Sequence, residues 1–207
     1  MWVDAATPVM KRVDRTSSVA VEVTAPDNAF MDGAAPTLAY FGADRQLLVL
    51  WDVDHTLIEN GGVSKETYAL AFELLTGRPA RAPARTDGRT DLSIMEGLLA
   101  EHAYDPAAFP HERVRAKLTE AMHRNASRLA ERGHMLPGVP DALAALAASG
   151  GVVQSVLTGN IMPNAAVKVR LLGSAATFLD LDVGGYGSDD IRRDKLVGVA
   201  QAKASAK

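Results

Sequence analysis

Residues 47–57, Leu47-Leu48-Val49-Leu50-Trp51-Asp52-Val53-Asp54-His55-Thr56-Leu57, join five consecutive apolar residues to two aspartates spaced two apart. An unbroken apolar run of this length marks a strand buried on both faces in a parallel sheet, because a strand with one wet face alternates. Side chains two positions apart on extended backbone point the same way. Asp52 and Asp54 are therefore expected to project together from the carboxyl end of a parallel strand, where open α/β sheets place their ligands.

Downstream, the periodicity becomes helical. A helix from Ser64, its expected N-cap, carries Tyr68, Phe72 and Leu75 at helical spacing and stops at Gly77; a loop follows over Arg78 to Gly88. A second helix starts near Asp91, and a third carries Val114, Leu118, Met122 and Leu129 before Gly133. Beyond the Leu136–Pro140 boundary, the Ala-rich segment Asp141–Ser149 reads as a helix stopped by Gly150-Gly151. Val152–Leu157 then reads as a strand, Pro163 opens a helix closed by Gly173, Phe178–Val183 reads as a third strand and Arg192–Ala202 as a last helix. The order predicts an α/β fold: a Rossmann-like parallel sheet core, 47–63 and 134–207, interrupted by an all-helical insertion, 64–133. Residues 1–46 lack periodicity apart from Val19-Ala20-Val21-Glu22-Val23, which alternates weakly and has the character of an edge strand; the segment as a whole is expected to be a disordered extension.

Composition narrows the function. The chain has 207 residues, 47% of them hydrophobic, which is ordinary for one globular domain with an insertion. A formal charge of −3 gives no reason to seek nucleic acid or an anionic membrane. The absence of cysteine excludes thiolate nucleophiles and zinc–sulfur sites and fits a reducing compartment. The most apolar stretch, Val139 to Leu157, is broken by Pro140, Asp141, Gly150, Gly151 and Gln154, too often for a membrane helix. A cytoplasmic protein acting on a small molecule is the expectation.

Two carboxylates just past a strand can hold a divalent cation, and one of them can attack phosphorus while the other manages a proton. Alone, Asp-x-Asp-x-Thr is equally well explained as turn chemistry, with short acids and Thr56 satisfying backbone groups. Leu157-Thr158-Gly159-Asn160 adds a hydroxyl and exposed amides after a second strand, a cradle for phosphoryl oxygens, and Lys168 follows on the next helix. Separately, Thr158 reads as a helix N-cap region and Lys168 as a solvated helix face. The remaining histidines, His102, His111, His123 and His134, show no metal-ligand spacing.

Taken together, Asp52-Val53-Asp54-His55-Thr56-Leu57, Leu157-Thr158-Gly159-Asn160 and Lys168 in Lys168-Val169-Arg170-Leu171-Leu172-Gly173 resemble the haloacid dehalogenase-like hydrolases, especially the phosphoglycolate phosphatase-like and β-phosphoglucomutase-like branch with a helical cap. The resemblance spans about Leu47 to Ala202. It implies a magnesium-dependent phosphatase acting on a small phosphorylated metabolite. In that reading Asp52 is the nucleophile, Asp54 the general acid and base, and both are metal ligands; Thr158, Gly159, Asn160 and Lys168 hold the phosphoryl group. Gly88-Arg89-Thr90-Asp91 resembles the cap segment that faces the site, making Arg89 a candidate for a substrate anion, against the plainer reading of a solvated loop arginine. Asp54 favours phosphoryl transfer over dehalogenation, since carbon–halogen cleaving relatives usually lack it. A sugar-phosphate mutase, a non-catalytic phosphate-binding or partner-binding remnant and, more distantly, a nucleotide-sugar transferase remain open.

Two departures matter. His55 stands where many relatives have glycine, implying either an altered loop backbone or a pocket-lining imidazole. The family's fourth motif, a glycine–aspartate step with a further acid, has no counterpart; Gly187-Ser188-Asp189-Asp190 resembles the segment upstream of it. The expectation is a chain truncated before that motif and lacking the last strands of the core. Its first strand would have an open edge unless the N-terminal extension or a partner covers it, and its magnesium affinity would be poor.

Overall fold

The structure, a computed structural model, describes the strand at residues 19–23 by its backbone and residues 47–207 in full. Apart from that strand, the extension expected over 1–46 lies outside the described residues. Four parallel strands form the central sheet in the order β1 (Val19–Val23), β2 (Leu47–Trp51), β5 (Val152–Thr158), β6 (Gly185–Tyr186). β1 pairs with β2 from Val19 opposite Leu47 to Val23 opposite Trp51, so the edge of β2 away from β5 is covered from within the chain. On the other side β2 pairs with β5, Leu47 opposite Val152 and Trp51 opposite Val156.

The apolar run of β2 serves two cores. Val49 and Trp51 pack with Val156, Leu143 and Val169, on the side of α4 (Val139–Ala148) and α5 (Met162–Val169). Leu48 and Leu50 pack with Leu157, Val183, Leu196 and Ala200 on the side of α6 (Leu196–Ser205). Burial on both faces is why the strand does not alternate. One polar pair lies within it: Trp51 Nε1 donates to Gln154 Oε1 at 3.1 Å, and Gln154 Nε2 donates to the Leu143 carbonyl at 2.8 Å.

A two-residue antiparallel ladder closes the neck of the helical insertion. In it β3 (Ile58–Glu59) pairs with β4 (His134–Met135), which brings the chain's exit to 57–60 and its return at 133–136 together. Between them lie α1 (Val63–Thr76), α2 (Asp91–Glu101) and α3 (His111–Arg132). Tyr68, Phe72 and Leu75 of α1, Leu98 of α2 and Leu118 of α3 bury together in an apolar cluster of their own. No helix among the described residues is long and apolar enough to cross a membrane.

Three local expectations are corrected. α1 begins at Val63 after Gly62 at φ 81°, and Ser64 lies inside its first turn rather than capping it. Phe178–Val183 is not a strand: short 3-10 helices cover Arg170–Phe178 and Leu181–Val183, and the strand is Gly185–Tyr186. The alternating pattern loses there to Asp180, whose side chain accepts the Asp182 N–H at 3.2 Å while its backbone bonds Gln154 and Ser155 of β5. The last helix starts at Leu196, after a 3-10 turn at Arg193–Lys195.

Candidate active site

β2 ends at Trp51, and the chain turns tightly over Val53–Ile58: the Leu57 N–H bonds the Val53 carbonyl at 3.0 Å and the His55 N–H bonds the Ile58 carbonyl at 2.8 Å. His55 sits at φ 62° and so keeps the left-handed backbone that glycine adopts at no cost. Its ring lines the cavity and bonds Glu59 Oε2 through Nδ1 at 2.9 Å. The position thus combines a left-handed backbone with a side chain that lines the cavity.

Asp54 lies at the centre of a hydrogen-bonded group. Lys168 on α5 donates to both of its oxygens at 2.7 and 2.8 Å. Asn60 Nδ2 reaches Oδ1 at 2.8 Å, and Asn160 Nδ2 reaches Oδ2 at 2.8 Å. Burial pushes the Asp54 carboxyl up, but the Lys168 charge and these donors outweigh it and hold the group below its ordinary range. Lys168 is only 1% exposed, which overturns the solvated-face reading, and its third contact is Asn160 Oδ1 at 2.7 Å. Thr158 ends β5 and is buried; its hydroxyl accepts from the Asn160 N–H at 3.2 Å and from Asn160 Nδ2 at 2.6 Å. It caps no helix, since α5 starts four residues later with Ile161 as its N-cap residue. Thr158 and Asn160 thereby fix the loop that carries Gly159.

Three chain segments meet at that loop. The Asp91 N–H bonds the Gly159 carbonyl at 2.7 Å, the Gly187 N–H bonds the Asn160 carbonyl at 2.8 Å, and Thr90 Oγ1 donates to the Ile191 carbonyl at 2.7 Å. The approach is so close that a Cβ on Gly159 would stand 2.1 Å from the Arg89 carbonyl oxygen. Asp91 joins the insertion to the core with its side chain as well, accepting from Tyr68 Oη at 2.7 Å and from the Ile161 N–H at 2.9 Å. Burial raises the Asp91 carboxyl to about 6 despite the lowering influence of Lys168 and these two donors, with the Asp54 charge adding to the rise. Tyr68 is pushed up in turn by burial and by Asp91.

Asp52 is held from outside the motifs. Its Oδ1 accepts the Val53 N–H at 2.8 Å, and its Oδ2 accepts from Arg193 Nη2 at 2.9 Å, 141 positions along the chain. A cavity of about 500 Å³ opens over the carboxyl ends of β2 and β5, with Asp52, Asp54, Thr158, Gly159, Asn160 and Arg193 on its floor. Lys65 of α1 and Arg89 lie on the insertion side. Arg89 is exposed and its guanidinium lies against Gly97 of α2, where a Cβ would be 3.0 Å from Nη1. The structure therefore gathers Asp52, Asp54, Thr158, Gly159, Asn160 and Arg89 on one cavity, with Lys168 directly behind Asp54.

Against known proteins, a sequence model of the haloacid dehalogenase-like hydrolases matches residues 49–206. The chain belongs to that family. No curated protein matches it. As a haloacid dehalogenase-like hydrolase it carries its acids, hydroxyl and lysine at the strand ends where ligands of open α/β sheets sit. Arg193, Asp91, Asn60 and Tyr68 were not identified as site residues from sequence. Arg192-Arg193-Asp194 has the look of a solvated charged helix start, and nothing local distinguishes the one arginine that turns inward.

The donor set can be tested against the magnesium that the resemblance implies. Magnesium takes about six oxygen ligands in near-octahedral geometry, usually one or two carboxylates completed by waters and substrate phosphate, so the question is whether the Asp52 and Asp54 oxygens are open to it. All four carboxylate oxygens of Asp52 and Asp54 already accept N–H groups, two of the donors being cations. No group of three or more Asp, Glu, His or Cys side chains able to hold a metal occurs among the described residues. Asp189 and Asp190 are engaged elsewhere, Asp189 with Lys203 and the Tyr186 N–H, and Asp190 with the Arg192 N–H. As arranged, the site does not fit the ion.

Proposed function

We propose that this hydrolase cleaves a small phosphate monoester, with Asp52 as the nucleophile that receives the phosphoryl group. The observation carrying this reading is the pairing of two carboxylates at a strand end with a fully buried lysine and the Thr158–Asn160 loop over one cavity. An apolar or neutral substrate would call on neither Lys168, beyond its pairing with Asp54, nor the Thr158–Asn160 loop. A phosphoryl group uses both.

Asp52 would attack phosphorus in line, forming an aspartyl-phosphate, while the Thr158 hydroxyl and the Gly159 N–H position the oxygens. Lys168 at present holds Asp54 ionised. When the lysine turns to a phosphoryl oxygen, Asp54 loses its counter-charge, its proton affinity rises and it takes up a proton from solvent, which it then gives to the departing alkoxide. Once the alcohol has left, the same carboxylate takes a proton from the water that hydrolyses the intermediate. The three-helix insertion would act as a cap, with Arg89 and Lys65 facing the remainder of the substrate. Phosphate release from an aryl phosphate tests the proposal: the wild-type chain should turn over, and Asp52→Asn should lose at least a thousandfold. Equal rates in the two would remove Asp52 from the chemistry.

A further inference from the structure

Each acid of the site has its own cation, and only one of the two cations belongs to the motifs. Lys168 serves Asp54, and Arg193 serves Asp52 through Nη2 to Oδ2 at 2.9 Å. The Arg193–Asp52 pair is partly buried, with the two side chains 26% and 19% exposed. Arg193 opens the 3-10 turn that runs directly into α6, whose Leu196 and Ala200 are buried against the sheet. The segment before it is pinned to the cavity rim by the Gly187–Asn160 and Thr90–Ile191 hydrogen bonds. The guanidinium therefore reaches the nucleophile from a fixed base on both sides. A surface charge pair formed by chance has no such anchoring.

We propose, resting on the function above, that Arg193 is a phosphoryl-holding residue of this enzyme, and that with Lys168 it supplies the positive charge that binds the phosphoryl group without a divalent cation. A guanidinium presents its N–H donors in a planar fork that matches phosphate as well as carboxylate. From its position on Asp52 it meets the equatorial oxygens of a phosphoryl group in line with that carboxylate. Lys168, behind Asp54, reaches them by turning from that carboxylate. The carboxylate oxygens that a metal would need are the ones these two cations occupy.

Titration of the chain with inorganic phosphate in the presence of chelator tests this by calorimetry. Wild type should bind, Arg193→Gln should weaken binding at least tenfold, and added Mg2+ should alter the wild-type affinity less than twofold. Binding that appears only with Mg2+, or an Arg193→Gln variant that binds like wild type, overturns the proposal. A second readout needs no variant. In the wild-type chain with chelator, phosphate should slow modification of Arg193 by an arginine-specific dicarbonyl at least fivefold, followed by peptide mass spectrometry; an unchanged rate overturns the proposal even if Arg193→Gln fails to fold. The two readings separate cleanly. Phosphate binding through Arg193 without aryl phosphate turnover sinks the hydrolytic function alone, and turnover that depends on Asp52 but not on Arg193 sinks the arginine's role alone.

Discussion

Asp54 and Asp91 accept from the adjacent residues Asn160 and Ile161, yet their proton affinities move in opposite directions, because Lys168 touches the first and only influences the second from a distance. For Asp91 the folded value is raised from 3.8 to about 6. Between those values the folded chain binds more protons than the unfolded one, so stability falls as pH rises from about 4 to 6 and then levels off. About two units correspond to roughly 3 kcal/mol. Asn at this position can accept from Ile161 and donate to the Tyr68 oxygen, so Asp91→Asn should flatten that slope and be at least as stable as wild type at pH 7.5 in urea unfolding. An unaltered slope would assign the pH dependence elsewhere. Asp54 has the other sign: its folded value is lowered, so its contribution is present above the unfolded 3.8 and is lost as pH falls below it. Removing its counter-charge with Lys168→Met leaves a partly buried carboxylate held only by neutral donors and should cost about 1–3 kcal/mol. A loss below 1 kcal/mol, measured the same way, would mean that the pair is not the buried contact described.

Among elements, those that carry the site were legible where a local rule and the tertiary demand agree. The strand at Leu47–Trp51 was readable because burial on both faces leaves a continuous apolar run, and α5 because Pro163 and the apolar spacing point to the same start. The misreadings have equally local causes. Phe178–Val183 alternates like a strand, but Asp180 ties the segment to β5 by turn bonds. The inward turn of Arg193 is set by a contact spanning 141 positions, for which sequence spacing carries no signal. Close approach at the β5–α5 loop was also invisible in sequence and makes a sharp contrast between two glycines. Gly159→Ala would place a methyl 2.1 Å from the Arg89 carbonyl oxygen and should cost about 1–3 kcal/mol or more, with loss of cavity binding. Gly198→Ala, exposed inside α6 with open space around it, should stabilise by about 0.5–1 kcal/mol. Equal thermal shifts of the same sign in the two variants would contradict the packing described.

At the scale of the whole molecule, the sheet places the strand that leads into Asp52 between a partner from the core and one from the N-terminal region. The parallel register of β1 on β2 covers the edge that the sequence comparison left open. An uncovered edge offers a row of unpaired backbone groups to any other chain. Deleting residues 1–24 should therefore lower the unfolding midpoint and increase light scattering at a given concentration, and a deleted chain that is monomeric and equally stable would show that β1 does not protect the edge. The phosphoryl group should pass through Asp52 as a covalent intermediate. The most direct test is to mix the chain with an activated phosphoryl donor such as acetyl phosphate, quench in acid and locate the added phosphoryl group by peptide mass spectrometry. The account predicts an acid-stable, base-labile phosphoryl group on Asp52, absent in Asp52→Asn. A phosphoryl group on any other residue, or turnover with none trapped on Asp52 under conditions that accumulate the intermediate, would contradict it.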